Sequence, residues 1–206
     1  MTEIYIAPVG ALNPVFLNRI SQSRKESLAQ MQAVSARELS LCAELLVRAL
    51  ICDELGVGND SLRIERSRSG KPFLPDYPEL HFNLSHTNGV IAAAIAHSPV
   101  GIDIERCDRK IQPRVIARIC SDAEAESLEN GLRPIELWTK KEALIKCCGR
   151  GDVPLNRLDT HRGDIATWPI EDYIVSVCCK TLPTMPLLLG ADEFYKMLMG
   201  LNEICF

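Results

Sequence analysis

The residues best equipped for chemistry lie in the stretch Pro99-Val100-Gly101-Ile102-Asp103-Ile104-Glu105. Val100, Ile102 and Ile104 alternate with Gly101, Asp103 and Glu105, the period of a strand whose apolar face enters a core. Asp103 and Glu105 then share the opposite face, roughly 7 Å apart along the strand. Two carboxylates so placed repel unless a positive charge lies between them. The simplest is a hard divalent cation, which takes carboxylate oxygens and completes its shell with water and phosphate. An isolated D-x-E is usually an acidic strand edge, so the pair gains weight only from its company. Trp138, Glu142 and Lys146 recur at i, i+4, i+8 and so lie along one helix face, with Lys141 close by. Alone, Glu142 and Lys146 form a surface pair worth about 0.2–0.5 kcal/mol, and Trp138 alone is a core residue. Ser85-His86 stands at a strand end before a glycine turn, where ring, hydroxyl and turn N–H groups are donors suited to phosphate oxygens. Adjacent residues of an extended chain face opposite ways, which argues against a Ser-His nucleophile pair. Gly70-Lys71-Pro72 is a turn with one lysine. It lacks the glycine cradle of a nucleoside-triphosphate loop, which sets aside a phosphotransferase of that kind.

These residues need elements to position them. Ile4-Tyr5-Ile6 begins a first strand, and Asn13-Pro14 opens a loop or short helix. Ser35–Leu55 is the clearest helix: Leu39, Cys42, Leu45, Leu46, Ala49 and Leu50 form its buried face, Ser35 and Glu38 read as a capping box, and Gly56 and Gly58 end it. Short strands follow at Leu62–Ile64 and Leu80–Leu84, and Val90–Ala96 is a continuous apolar run of a buried central strand. Past the acidic strand, Ser121–Glu124 starts a helix ending near Asn130-Gly131. Pro134 to about Cys148 is a second strong helix, with Leu137, Leu144 and Cys148 free to bury and Gly149-Arg150-Gly151 closing it. Strands near Ile165–Trp168 and Tyr173–Cys179 and a helix near Ala191–Met199 complete the chain. With no sequence repeat and no linker, the expected fold is α+β, with two lobes, 1–99 and 100–206, packed on each other and the site at their interface.

The 206 residues are 47% hydrophobic and 24% charged, the composition of an ordinary globular protein. A net charge of −4 argues against a nucleic-acid or membrane-surface binder. No signal peptide and no run long enough to span a bilayer is visible, so a cytoplasmic location is expected. Nine cysteines without a C-x-x-C pair, and four scattered histidines, predict free and mostly buried thiols rather than a zinc site.

In order and spacing, Gly70-Lys71-Pro72, Phe82-Asn83-Leu84-Ser85-His86, Val100–Glu105 and Trp138-Thr139-Lys140-Lys141-Glu142-Ala143-Leu144-Ile145-Lys146 resemble the 4′-phosphopantetheinyl transferases. The likeness is to the monomeric two-lobed kind that activates peptide and fatty-acid synthases, whose lobes pack pseudo-symmetrically. It runs from about Leu39 to Gly151, with weaker echoes at Arg24 and at Tyr173–Cys179. It implies transfer of phosphopantetheine from coenzyme A to a serine of an apo acyl or peptidyl carrier protein, releasing 3′,5′-ADP. It further implies that Asp103, Glu105 and Glu142 hold magnesium (or manganese in its place), that Glu142 is alternatively the base for the serine, and that Lys146, with Lys141 as a second candidate, stabilises leaving-group charge. Lys71, Leu84, Ser85, His86, Asp103 and Lys146 would meet coenzyme A, with Arg24, Lys25 and Ser40 near its 3′-phosphate. Ser27 departs from the pattern where a second basic residue is often found. The basic run Arg106, Arg109, Lys110, Arg114 and Arg118 would dock an acidic carrier, or be plainly solvated. The competing reading is a relic that binds coenzyme A or carrier without chemistry. The presence of Asp103, Glu105, Glu142 and Lys146 together favours the enzyme.

Overall fold

A computed structural model describes residues 2–10, 14–149, 153–162 and 164–204. Asn13 and the closing Arg150-Gly151, to which the sequence assigns a loop start and a helix stop, lie outside the described residues.

Strand β1 (Thr2–Pro8) is followed by a 3-10 turn at Pro14–Arg19, helix α1 (Gln22–Ala29) and the long helix α2 (Val34–Leu55). Two short strands, β2 (Glu65–Arg66) and β3 (Pro72–Phe73), form a small hairpin. Then come β4 (His81–Thr87), β5 (Val90–Ala96) and β6 (Val100–Arg106). Helices α3 (Pro113–Ile119), α4 (Asp122–Glu129) and α5 (Pro134–Cys148) follow, then β7 (Ile165–Ile170), β8 (Tyr173–Cys179), β9 (Leu187–Leu188) and α6 (Ala191–Gly200). The mixed α+β class is as the sequence predicts. No described helix is long and apolar enough to cross a membrane.

The first sheet runs β4-β5-β1-β9 and the second β6-β8-β7. In each, a first strand (β1 or β6) leads to a long helix (α2 or α5) and then to a hairpin whose second strand lies centrally, antiparallel to both neighbours. The two halves repeat this topology without repeating sequence. β9 and α6 lie late in the chain but join the first half: β9 pairs in parallel with β1, and Phe194 and Leu198 of α6 enter the α2 core.

β5 explains its own apolar run. Ile91, Ala93 and Ile95 face the core under α2, while Val90, Ala92, Ala94 and Ala96 face β6 and β8. Both faces are buried, so no polar alternation survives. The layer between the sheets holds Ile4, Ile6, Ile102, Ile104, Val175 and Val177, each contributing about 1.5–3 kcal/mol by burial. The other face of the second sheet receives α5, and Gly101 sets how closely. A Cβ there would meet Ala143 O at 2.1 Å and Cys147 N at 2.3 Å.

Some local expectations give way. α2 begins at Val34 with Ala33 at its N-cap and no side-chain cap bond, so Ser35 lies inside the helix rather than capping it. The capping box occurs instead at Ser121 and Glu124. The strand expected at Leu62–Ile64 forms at Glu65–Arg66, because Leu62 closes a 3-10 turn over Asn59–Ser61. On α5, Leu137 and Leu144 bury but Cys148, in the last turn, is exposed. All eight described cysteines are free, and only Cys42, Cys178 and Cys179 are fully buried.

Candidate active site at the lobe junction

β6 presents an open edge to β4, and side chains close it. Asn83 Oδ1 accepts from Ile102 N (2.9 Å) and Ser85 Oγ from Ile104 N (3.4 Å). Lys71 Nζ donates to Val100 O (3.0 Å) and Lys146 Nζ to Ile102 O (3.2 Å). The alternation of β4 makes this possible: Asn83, Ser85 and Thr87 face β6, while Phe82 and Leu84 belong to the α2 side.

Asp103 sits at the centre of that joint. It is buried, and its Oδ1 accepts from Ser85 Oγ (2.8 Å) and from Lys146 Nζ (2.7 Å). Lys146 also reaches Ser85 Oγ at 3.2 Å. Lys146 and Glu142 share a face of α5, as their i, i+4 spacing requires. Burial, and next the nearby charge of Asp103, raises the pKa of Glu142 above that of an ordinary glutamate. Asp103, Glu142 and Lys146, from two elements far apart in sequence, therefore converge.

Asp103 Oδ2 is buried with no hydrogen-bond partner. A buried carboxylate oxygen lacking a donor is uncommon and calls for an explanation such as a bound ion. A hard cation would supply one, and the carboxylate oxygens here suit magnesium, which characteristically takes one or two protein carboxylates beside water and substrate phosphate. The donor set fits such an open site and not a closed cage: among the described residues no three His, Cys, Asp or Glu side chains are gathered tightly enough to hold an ion. Glu105 is held apart by Arg109, which pairs with it, and by Thr87 Oγ1 at 3.4 Å. Arg109 also lies over the Trp138 ring, 5.3 Å from its centroid.

A cavity of about 390 Å³ opens beside this cluster. Ser40 and Glu44 of α2, Phe82 and Leu84 of β4, the Arg66–Pro72 turn, and Lys146 line it. Two arginines also line it, Arg24 and Arg66. Arg24 enters it with Nη2 2.6 Å from Ser40 Oγ and Nε paired to Glu44, which in turn accepts from Arg48 at 3.1 Å. Arg66 lines the same wall. It was missed in the sequence because a lone arginine among Arg63, Arg68 and two serines carries no spacing signal.

The remaining predicted residues divide. His86 is exposed, and its pKa is lowered by partial desolvation and then by the charge of Lys146. Lys71 lines the cavity, but its ammonium donates to Val100 O, Lys146 O (2.6 Å) and Cys147 O (3.2 Å), so it clamps the end of α5. Lys25 is half-buried and lines neither wall of the cavity. Lys141 is not brought to the site. It is fully buried, paired with Glu124 at 2.6 Å, and donates to Leu155 O at 2.9 Å and to Leu158 O. One residue before Glu142 means about 100° around the helix, enough to send it into the α4 side. In the basic run, Arg106 is paired with Asp108 and Arg109 with Glu105, while Lys110, Arg114 and Arg118 are exposed without an ion pair among the described residues.

Comparison with known proteins bears on this geometry. Residues 11–98 match the family model described as 4′-phosphopantetheinyl transferase, N-terminal, and residues 99–188 that of the 4′-phosphopantetheinyl transferase superfamily. The chain is 31% identical over 146 residues to the 4′-phosphopantetheinyl transferase gsp of Aneurinibacillus migulanus, covering 68% of this chain and 60% of that protein. It is 30% identical over 151 residues to Sfp of Bacillus subtilis (strain 168), covering 70% and 67%. To the L-aminoadipate-semialdehyde dehydrogenase-phosphopantetheinyl transferase of Rattus norvegicus it is 32% identical over 151 residues, covering 64% and 49%. The matched stretch thus spans from about half to two thirds of these relatives' lengths.

Proposed function

This chain belongs to the 4′-phosphopantetheinyl transferase superfamily, and from that premise we propose that it moves 4′-phosphopantetheine from coenzyme A to a serine hydroxyl of an apo acyl or peptidyl carrier protein. The serine oxygen forms a bond to the phosphorus that bears pantetheine, the bond from that phosphorus to the bridging oxygen breaks, and 3′,5′-ADP leaves. The observation that carries the reading is the convergence of Asp103, Glu142 and Lys146 beside a cavity that Arg24 and Arg66 also line.

In this reading Arg24, held by Ser40, and Arg66 meet the nucleotide phosphates. Lys146, bound to Asp103 yet lining the cavity, offsets negative charge developing on the 5′-phosphate of the departing 3′,5′-ADP. Glu142 accepts the serine proton. Burial, and next the charge of Asp103, raises its proton affinity in the metal-free protein, the direction that suits a base. Asp103 would hold magnesium, or manganese in its place, with Glu142 as the neighbouring carboxylate, whereas Glu105 is engaged by Arg109. A bound ion would neutralise diphosphate charge as a Lewis acid. The exposed cations Lys110, Arg114 and Arg118 would meet an acidic carrier. We take the protein to act as a monomer in the cytoplasm, where its free thiols would stay reduced.

The test mixes purified protein, coenzyme A, magnesium and a panel of apo carriers drawn from fatty-acid, polyketide and peptide synthases, and reads intact mass. A phosphopantetheine gain on at least one carrier, abolished by a chelator and by Asp103→Ala, is expected. No gain on any carrier would favour a binding-only relic, and full activity in Asp103→Ala would refute the assigned centre.

A further inference from the structure

A second cavity, of about 440 Å³, lies beside the first, between β3 and the last turn of α5. Cys147 lines it with Lys71, Phe82 and Pro99. Its Sγ is 3.4 Å from Pro99 O, and Lys71 Nζ is 3.2 Å from its carbonyl oxygen. Its side chain packs against the small buried cluster of Ala143, Leu144 and Cys178. The backbone arranges this meeting. Gly101 lets α5 descend until Cys147 Cα stands 2.9 Å from where a Cβ on residue 101 would be, and Cys178 is the cross-strand partner of Gly101. Cys147 is half-buried, whereas Cys178 is 1% exposed. The nearness of Cys178 and then the charge of Lys71 favour the thiolate at Cys147, while the nearness of Cys147 and burial disfavour it at Cys178. Thiolate, not thiol, is the attacking form. The transfer reaction uses neither sulfur.

We propose that Cys147 and Cys178 form a modification site for low-molecular-weight disulfides, with Cys147 as the attacking thiol and Cys178 as the resolving one. The Cys147 thiolate bonds to one sulfur of the disulfide RSSR. The S–S bond breaks, and RS⁻ leaves and takes up a proton as RSH. Cys178 then attacks the Cys147 sulfur, the mixed S–S bond breaks, the Cys178 proton passes to the departing RS⁻, which leaves as a second RSH, and a Cys147–Cys178 disulfide remains. Two electrons pass from the protein thiols to the incoming disulfide. The new bond staples the α5 turn that carries Lys146 to β8.

The test treats the protein with glutathione disulfide, blocks remaining thiols by alkylation and maps peptides by mass. A peptide joining Cys147 to Cys178, released by dithiothreitol, is expected. Cys178→Ala should stop at a glutathione adduct on Cys147. Cys148→Ser, which removes the exposed neighbour, should leave the linkage intact. If the wild-type protein takes glutathione on Cys148 and forms no Cys147–Cys178 link, the proposal is overturned. It is overturned equally if folded Cys178→Ala, checked by circular dichroism, accumulates no more Cys147 adduct than wild type.

Discussion

Gly101→Ala tests the contact on which the site depends. The added methyl would stand 2.1 Å from Ala143 O, 2.3 Å from Cys147 N and 2.9 Å from Cys147 Cα, all backbone atoms that no rotamer change can move. Restoring an ordinary 3.4 Å contact with Ala143 O requires α5 to retreat from β6 by about 1.3 Å, the difference between the two distances. Overpacking of that kind costs about 1–3 kcal/mol, or roughly 2–12 °C in Tm for a chain of this size. The larger effect falls on function. Glu142 and Lys146 ride on α5 and Asp103 on β6, so the shift opens the 2.7 Å Lys146–Asp103 contact. Misplacement by about 1 Å costs on the order of 100-fold in rate. Apo-to-holo conversion followed by intact mass gives the rate, and a thermal melt gives the stability. Gly200→Ala, which meets nothing within 4 Å, serves as the control and should change neither. A Gly101→Ala enzyme within threefold of wild type, melting at the same temperature, would refute the reasoning.

Four further outcomes follow from the charges. Burial alone would raise the Glu124 carboxyl, yet hydrogen bonds from Lys141 and Thr160 hold it at about 2 against an ordinary 4.5. Its contribution is complete above pH 4.5 and is lost as pH falls towards 2, about 3 kcal/mol over that window. Urea melts across that range should show the loss, and Glu124→Gln should flatten it. At neutral pH, Lys141→Met strands a buried carboxylate and should cost about 3–5 kcal/mol, with most of it recovered in the Lys141→Met/Glu124→Gln double variant; no recovery would mean the pair is not the cause. In metal-free protein Glu142 should keep its proton to higher pH than an ordinary glutamate, and Asp103→Asn should lower that midpoint, as read by carbon-13 carboxyl shifts. An unchanged midpoint would remove the coupling between the two acids. Arg114→Glu should raise KM for the carrier and leave that for coenzyme A alone; equal effects on both would remove the docking surface.

Sequence alternation was sufficient to place Asp103 and Glu105 opposite the buried isoleucines, because period two leaves one answer once one face is apolar. Helical spacing likewise grouped Glu142 with Lys146, and applied strictly it would have excluded Lys141. What the chain could not announce was neutralisation by a distant partner. Nothing in Asp103-Ile104-Glu105 says that Arg109 takes Glu105 while Lys146 takes Asp103. Nor does Lys71 advertise that three carbonyl oxygens occupy it, since a turn lysine has the same local signature whether it meets phosphate or backbone. β9 is two residues long and pairs with β1 from the far part of the chain, a long-range contact that no window of sequence contains.

The side chains that close the edge of β6 have a consequence for how the protein tolerates change. Ser85 and Lys146, which we propose to face the substrate, are also rivets between the halves. A variant chosen to silence chemistry at either position loosens the joint between β4 and β6 too. Inactivity and weakened cohesion should therefore arrive together at these two positions, and separating them would require replacements that keep the donor while losing its charge or its reach.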